Sequence, residues 1–434
     1  MLLNKEFEKL ILIIRIAKQA FGEYKSQIAI LTILGFASGL LGGVGINALI
    51  PIFTFIAGGE RGTDIVSRHI EKFFLFLNID FTLKYLVIFI ILLFIIKAII
   101  LTLFSLISVL ITSGYEEKTR NKLFKLILTA DWPYLLRQKL GHLETILVTN
   151  IQLGKNLFTQ ISLVIMSLTS LIVYAIIAFN ISTIMTLLAF VLGVFLFIPF
   201  RFLTGQVRKI SYESEKINRG TAHFINENIL GMKTVKIMSA VDEVMKIGGD
   251  YFRRIKKIGI KSFLLSIPTG QFMEPTSVIF IAAIFVISYK FFGFNLASLI
   301  VILYLVKQIV TYVIQIQKQL LGMHSTVPYL RKVLEYETQS LKSEEENKGT
   351  AKFEFNKSLE LKDVHFSYNS GEEVLSGLDF KINKGEMVGL VGRSGAGKTT
   401  IADLILRLFI PDKGEILLDN KNIAEISLKE WRGN

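Results

Sequence analysis

Cysteine is absent from the 434 residues, which excludes a disulfide framework, a zinc site built on thiolates and a cysteine nucleophile. Charged residues make up only 20% of the chain, below the roughly 25% of an average soluble domain. Histidine is scarce as well, and the spacing of its five residues disfavours a histidine metal site. They are His69, His142, His223, His324 and His365.

Long apolar runs fill the first 340 residues and exclude a purely soluble enzyme, a secreted disulfide scaffold and a disordered protein. Six segments each hold about 20 or more mainly apolar residues, as a helix needs to cross a hydrocarbon core of about 30 Å. Residues 1–27 mix apolar residues with lysine and arginine, which favours an interfacial helix over a secretory signal. The sequence thus predicts six membrane-spanning helices, over residues 28–56, 85–111, 157–179, 181–202, 263–289 and 296–316.

The basic residues follow this predicted topology. With both termini in the cytoplasm, the inner segments 1–27, 112–156 and 203–261 hold five, seven and twelve Lys or Arg, against five on the outer segments. Such an excess is typical of cytoplasmic loops and explains most of the net charge of +13. Nucleic acid is therefore not expected as a partner.

The two longer inner segments have the composition of helices rather than of loops. Their apolar residues recur every three to four positions, and structureless connections of 45 and 59 residues are uncommon. We expect the spans to continue as helices into the cytoplasm and to turn back near 131–136 and 228–234. Pro133 and Gly231 are the residues that favour a break there.

Two groups of residues inside the predicted spans stand out. The first is Gly35, Gly39 and Gly43, whose spacing of four allows close approach of another helix, although membrane helices also tolerate glycine without that role. The second is three charged residues, which are expensive to bury alone in a bilayer. They either contact a charged substrate in a cavity or pair with one another, and they are Lys97, Glu274 and Lys307.

The composition changes after residue 334. Residues 335–352 are polar and read as a linker, and residues 353–434 then show short strand-like runs over 359–368, 374–382 and 387–391. Directly after the third run comes a full match to G-x-x-x-x-G-K-[ST], followed by a helical pattern over 401–409. Its residues are Gly392, Arg393, Ser394, Gly395, Ala396, Gly397, Lys398, Thr399 and Thr400.

The residue types in this pattern suit the binding of phosphate. Glycines let backbone N–H groups converge on phosphate oxygens, and the helix that follows directs its positive end at the anion. Lys398 is suited to the β- and γ-phosphates of a nucleotide, and the Thr399 hydroxyl is suited to Mg²⁺. The segment predicts a site for ATP with Mg²⁺.

With these motifs, the chain resembles a bacterial ABC exporter half-transporter over essentially its whole length. The resemblance implies a polytopic α-helical membrane domain, with six spans and long cytoplasmic extensions, followed by an incomplete α/β P-loop nucleotide-binding domain. It implies coupling helices at the two cytoplasmic turns. It also implies that Tyr368, in the segment VHFSY, stacks on adenine, whereas a plain strand tyrosine is the alternative.

The resemblance has a limit at the end of the sequence. The signature motif, the Walker B aspartate with its following glutamate, and the switch histidine of the family do not occur before Asn434. No catalytic residue is therefore assigned in this chain. We expect the sequence to be a fragment of a longer protein.

The resemblance implies ATP-driven export or flipping of an amphipathic substrate, such as a lipid, glycolipid, peptide or drug. The expected partners are a second half-transporter, membrane lipid and the substrate, and the expected location is the inner membrane with both termini cytoplasmic. One alternative is a truncated, non-hydrolysing membrane subunit that needs an intact partner. An unrelated membrane protein with a P-loop kinase tail is disfavoured by the position of Tyr368 and the six spans.

Overall fold

The computed structural model describes residues 2–56, 65–138, 140–270, 296–368, 371 and 373–434, with six isolated positions between 275 and 286. These residues form two compact units. The first unit comprises Met1–Asn121 and Leu140–Glu335, and the second comprises Lys122–Lys139 and Tyr336–Asn434.

The described residues up to 342 are almost entirely helical. In chain order the helices are α1 (Leu2–Phe21), α2 (Lys25–Asn47), α3 (Leu49–Ile56), α4 (Ile65–Phe76), α5 (Leu83–Leu128), α6 (Trp132–Arg137), α7 (Leu140–Glu144), α8 (Ile151–Gly154), α9 (Asn156–Ile181), α10 (Thr183–Leu230), α11 (Met232–Ile237), α12 (Val241–Gly270) and α13 (Leu296–Lys342). A short 3-10 turn, Gly22–Tyr24, precedes α2, and a π-helical stretch, Thr145–Asn150, precedes α8.

Four stretches among the described residues are long and apolar enough to cross a membrane: Ile11–Phe53, Leu83–Leu128, Gly141–Ile181 and Ile300–Lys342. The second and third predicted spans lie within these stretches, and the first and sixth, 28–56 and 296–316, overlap them over most of their length. The fourth, 181–202, falls on the first part of α10, which is not among these four stretches. The fifth, 263–289, begins in α12 and then lies mostly outside the described residues.

Three helices are much longer than a bilayer requires. Helices α5, α10 and α13 have 46, 48 and 47 residues, and at about 1.5 Å per residue each is roughly 70 Å long. A hydrocarbon core is only about 30 Å thick. The expected continuation of the apolar helices beyond the membrane is therefore present in the structure.

A short helix lies at each of the two turns expected from the sequence. Helix α6 begins after Asp131, whose carboxylate accepts a hydrogen bond from the Tyr134 N–H at 2.7 Å. Pro133 stands in the first turn of α6, where proline is tolerated, so the break precedes Trp132 rather than falling at it. At the other turn Gly231 separates α10 from α11 with a φ of −86°, a conformation open to any residue.

Helices α2 and α9 approach each other closely along the glycines of α2. A Cβ on Gly35 would lie 3.2 Å from the Cα of Met166, and a Cβ on Gly39 would lie 3.1 Å from the Cα of Ser170. Larger residues would force the two backbones apart. Of the two roles considered for these glycines, the structure supports close helix packing.

The apolar core of the first unit forms around α9 and α13. Ile46, Tyr174 and Leu305 belong to one buried cluster. Phe21 of α1 and Phe158 of α9 belong to a second, and their rings meet edge to face with centroids 5.2 Å apart. One face of α1 is thus buried against the bundle, while Ile14 remains exposed.

The second unit contains a four-stranded antiparallel sheet with strand order β2-β1-β3-β4. The strands are β1 (Ser358–Ser367), β2 (Glu373–Asn383), β3 (Lys413–Leu418) and β4 (Lys421–Asn422). Two short helices accompany them, α14 (Lys398–Ile405) and α15 (Leu428–Gly433). Leu361, Leu404 and Ile416 lie in the core between the sheet and α14.

The third strand predicted from the sequence, 387–391, is not a strand in the structure. Met387 and Val391 are each 99% exposed, so the apolar run is present without a sheet around it. A strand needs a neighbour for its backbone N–H and C=O groups. Among the described strands none pairs with this segment.

The segment 335–352, read from the sequence as a linker, is ordered. Its first part continues α13 as far as Lys342. Further on, the N–H groups of Thr350 and Ala351 donate to the carbonyl of Glu425, and the Ser427 N–H donates to the carbonyl of Ala351. These are backbone contacts, which a polar sequence without apolar periodicity does not reveal.

We expect Gly39→Ala to destabilise the helix bundle by about 1–3 kcal/mol, because the added methyl meets the backbone of α9. Gly114→Ala on α5 is the matched control, since a Cβ there has no neighbour within 4 Å. The control should be neutral or slightly stabilising, as alanine favours helix. Thermal unfolding of the purified chain in detergent measures both, and equal melting temperatures would contradict the packing role.

Candidate nucleotide-binding site

The phosphate-binding motif forms a tight loop that leads into α14. Gly395 and Gly397 have φ values of +84° and +79°, which L-residues with side chains rarely adopt. Gly397 is the N-cap of α14. The loop therefore delivers the chain to the start of a helix whose first N–H groups have no intrahelical partner and can bind an anion.

Strand β2 supports the loop from one side. A Cβ on Gly397 would lie only 2.7 Å from Cδ2 of Leu375 and 3.6 Å from Cγ1 of Val374. Leu375 is itself buried in the core of the second unit. Gly397 is thus required both for its backbone conformation and for its closeness to β2.

The Lys398 side chain lies across the loop. Its ammonium donates to the carbonyl oxygens of Gly392 and Arg393, at 2.9 and 2.7 Å. These bonds hold a positive charge over the loop, where the motif places the phosphates of a nucleotide. The arrangement fits a polyphosphate ligand.

The remaining residues of the motif differ in exposure. Ser394, Ala396 and Thr399 are exposed, whereas Thr400 is buried. The Thr399 hydroxyl is thus available at the start of α14 as a ligand for Mg²⁺. Within the described part of the chain no three His, Asp or Glu residues converge as a metal site, so Mg²⁺ would depend on phosphate oxygens and water for its other ligands.

Tyr368 is fixed beside the phosphate-binding loop. Its hydroxyl lies 3.0 Å from Oγ1 of Thr400. Its ring meets Phe366 and Phe409 nearly at right angles, with centroids 4.9 and 5.2 Å away. The side chain remains 37% exposed, so these contacts hold the ring in place while leaving part of it open to a base.

Phe409 is a residue that sequence reasoning missed. The helical pattern over 401–409 predicts a longer helix, but α14 ends at Ile405. Arg407 takes a φ of +54°, and the N–H of Leu408 donates to the carbonyl of Asp403, as in a Schellman C-cap. Because the helix stops there, Phe409 is free to pack on Tyr368 instead of continuing the apolar face of α14.

The C-terminal end of α14 is capped by side chains of α15. The Trp431 Nε1–H donates to the carbonyl of Ile405 at 2.7 Å, and the Arg432 guanidinium donates to the carbonyls of Leu406 and Arg407. Arg432 also forms a bidentate ion pair with Glu345, at 2.6 and 2.8 Å. A cation near the last carbonyls stabilises a helix terminus, so α14 is held firmly at the end opposite the phosphate-binding loop.

A hydrogen-bonded pair, His365 and Glu373, joins β1 and β2 near Tyr368. Nδ1 of His365 lies 2.6 Å from a Glu373 carboxylate oxygen, and Nε2 lies 3.2 Å from Asp363. The hydrogen bond to Glu373 raises the pKa of His365 above its ordinary value and lowers the pKa of Glu373. The pair thus ties the end of β1 to the beginning of β2.

Two of the three charged residues predicted inside the spans lie among the residues that the structure describes. The Lys97 ammonium lies beside α2, where a Cβ on Gly42 would be 2.5 Å from it. Lys307 is exposed on α13. Glu274 lies outside the described residues, so a shared role for these three side chains stays a prediction.

The His365–Glu373 pair makes the stability of this strand end depend on pH. The folded-state pKa of His365 is raised above an unfolded value of about 6.5. The contribution is therefore fully present below about pH 6.5 and is lost as the pH rises through the raised pKa. Hydrogen-exchange protection at the end of β1 should fall over this range in the wild-type chain and not in His365→Gln. Identical profiles for the two proteins would contradict the role of the pair.

Comparisons with known proteins agree with this geometry. The model of the ABC transporter transmembrane region matches residues 28–313, and the ABC transporter model matches residues 375–434. The putative ABC transporter ATP-binding protein MG015 of Mycoplasma genitalium is 26% identical over 316 residues, which cover 68% of this chain and 52% of that protein. An ATP-dependent lipid A-core flippase of Legionella pneumophila is 29% identical over 237 residues, 52% of this chain and 39% of that protein.

A shorter match has a higher identity. The probable multidrug resistance ABC transporter ATP-binding/permease protein YheH of Bacillus subtilis is 43% identical over 76 residues, which are 18% of this chain and 11% of that protein. The chain spans about half the length of the curated relatives it matches. Since the transmembrane model alone covers more than half of the chain, the chain belongs to the ABC transporter family, with the family's helical membrane region followed by part of its ATP-binding domain.

Proposed function

We propose that this chain serves ATP-driven export or flipping of an amphipathic substrate as one half of a dimeric ABC transporter. The observation that carries the proposal is the phosphate-binding loop, with Gly397 against β2 and Lys398 across the loop, in one chain with long apolar helices. The loop supplies a site for the energy source, and the helices supply a route through the bilayer.

The proposed ATP site uses residues 392–400 for the phosphates. The backbone N–H groups at the start of α14 and the Lys398 ammonium would hold the phosphate oxygens. Bound Mg²⁺ would neutralise phosphate charge, with Thr399 as its ligand from this chain. Tyr368 would hold the adenine by stacking, on the support of Phe366 and Phe409.

We propose that the chain is organised in four parts. Residues 1–27 form an interfacial helix, residues 28–334 a six-span membrane domain, residues 335–352 a connection, and residues 353–434 the first part of the ATP-binding domain. Of these, the connection differs from a flexible linker, because its backbone is paired with residues near 425.

The two cytoplasmic turns would transmit movement between ATP site and membrane. Helix α6 lies in the second unit, where the Asp131 N–H donates to the carbonyl of Ser343 and the Tyr134 hydroxyl lies 3.3 Å from the Ser340 hydroxyl. The turn at α11 has no comparable cover among the described residues, and Leu230, Ile237 and Met238 are more than 70% exposed. An apolar surface of this kind suits docking of the partner's ATP-binding domain.

The proposed membrane orientation rests on the distribution of basic residues, and the proposed substrate class rests on the apolar helix surfaces. The excess of Lys and Arg on the inner segments favours both termini in the cytoplasm and insertion in the inner membrane. The apolar helix surfaces favour an amphipathic substrate. The names of the relatives include a lipid A-core flippase and a multidrug resistance transporter, which fit this class.

Lys398→Ala in the complete protein should abolish ATP-driven transport, because the loop loses the charge that holds the phosphates. Lys429→Ala on the exposed face of α15 is the matched control and should leave transport intact. ATP-dependent uptake into inverted vesicles measures both, with membrane insertion checked in parallel. Near-normal uptake by the Lys398 variant would overturn the assignment of the loop.

Tyr368→Ala should weaken ATP binding about tenfold, since a stacked base is worth about 1–3 kcal/mol and each 1.4 kcal/mol is a factor of ten. Tyr368→Phe keeps the ring and loses only the hydroxyl contact with Thr400, so it should bind ATP nearly as well as the wild type. Calorimetric titration with ATP compares the three proteins. Equal affinities for wild type and the alanine variant would exclude adenine stacking.

A further inference from the structure

The segment that follows α13 pairs with the turn that precedes α6. The backbone N–H of Asp131 donates to the carbonyl of Ser343 at 2.8 Å, and the N–H of Glu345 donates to the carbonyl of Thr129 at 2.9 Å. Between these two bonds the segments form a one-residue antiparallel bridge. Residues 343–345, the strap, therefore hold both sides of this turn through their backbone.

The side chain of Glu345 reaches the end of α14 through Arg432. Its carboxylate oxygens accept two hydrogen bonds from the guanidinium, at 2.6 and 2.8 Å. The same guanidinium donates to the carbonyls of Leu406 and Arg407, directly after α14, at 3.2 and 2.8 Å. The Glu345 and Arg432 side chains are only 26% and 32% exposed, so solvent screens this pair in part. Glu345 is thus joined to the turn before α6 by its backbone and to the end of α14 by its carboxylate.

A second guanidinium, that of Arg407, lies in the field of the same carboxylate. Arg407 follows α14 with a φ of +54°, and its guanidinium donates to the carbonyl of Ile426 at 2.7 Å. Burial and then the charge of Arg432 lower the pKa of Arg407, whereas the charge of Glu345 raises it. Glu345 therefore compensates two positive charges at the end of α14, and its removal would leave them to repel each other.

The other end of α14 is the end that faces the phosphate-binding loop. Gly397 is its N-cap, and the Lys398 ammonium lies across the loop. With eight residues α14 is about 12 Å long, and a short helix of this kind is a rigid element that can carry coupling between its ends. A shift of α14 on phosphate binding would therefore be met at its far end by Arg432 and Glu345.

We propose that Glu345 is a positioning residue that transmits nucleotide binding at the start of α14 to the turn at α6. A bidentate, charge-assisted pair is directional, so it fixes the end of α14 against the strap, and the backbone bonds of the strap fix the turn. This role rests on the proposed ATP site, but it concerns the connection from that site to α6. ATP could bind at the loop without any effect at α6, so the two proposals can fail separately.

Hydrogen–deuterium exchange of the purified full chain in detergent, with and without ATP and Mg²⁺, tests this role. In the wild type, ATP should slow the exchange of the α6 amides. In Glu345→Gln this effect of ATP on α6 should fall about fivefold, at the low end of couplings between distant sites. The ATP affinity of this variant, from calorimetric titration, should stay close to that of the wild type, because the phosphates bind at the opposite end of α14.

Glu344→Gln is the matched control. It removes the same charge one residue earlier, from an exposed side chain, and leaves the backbone bridge of the strap in place. The full effect of ATP on α6 should therefore remain in this variant. Equal changes at α6 with and without ATP in Glu345→Gln would show a purely structural contact and overturn the proposal.

Two further results would overturn it as well: an unchanged effect of ATP on α6 in Glu345→Gln, or a wild type that binds ATP without any change at α6. A wild type that does not bind ATP would instead overturn the proposed ATP site, and this role with it. If Glu345→Gln does not fold, Arg432→Lys decides, because lysine keeps the charge and lacks the two-pronged guanidinium. That variant should also lose most of the effect of ATP on α6.

Discussion

Backbone hydrogen bonding is the constraint on which this structure depends most. In a bilayer every peptide group of a spanning segment needs a hydrogen-bonding partner, and a long uninterrupted helix such as α5 supplies these partners within the segment itself. At each helix end, the N–H or C=O groups that have no partner within the helix need another one. Asp131 caps α6, Ser182 caps α10, and Trp431 with Arg432 caps the C-terminal end of α14. The start of α14 differs, because its N-cap is a glycine without a side-chain acceptor, and there an anion can take that place.

The bidentate pair of Arg432 and Glu345 therefore has a wider effect than capping. The Glu345 carboxylate holds the guanidinium that binds the last carbonyls of α14, while the Glu345 backbone N–H donates to the carbonyl of Thr129 at the turn before α6. Charge-assisted bidentate bonds of this type are among the stronger and more directional ones in proteins. Within the second unit, the phosphate-binding helix, the end of α13 and the turn at α6 are thus joined through one residue. A displacement of α14 cannot occur without straining one of these bonds.

The sequence predicts the features that depend on local pattern. The apolar runs that place four membrane-crossing stretches, the glycine spacing that lets α2 approach α9, strands β1 and β2, and the phosphate-binding loop all have a signature within one segment. The features that were missed depend on distant residues. One is the backbone pairing of residue 351 with residue 427, and another is the contact of Phe409 with Tyr368. A third is the early end of α14. In each case the sequence of the segment itself gives no sign of the feature.

The segment 387–391 shows why a strand signal is weaker evidence than a loop signal. Its short apolar run is compatible with a strand, but pairing is a property of two segments, and Met387 and Val391 stay exposed without a neighbouring strand. The loop after it forms nonetheless. Its shape is set by the positive φ angles of Gly395 and Gly397, by the contact of Gly397 with Leu375 on β2, and by the Lys398 bonds across it. The phosphate site is therefore held by β2 and α14.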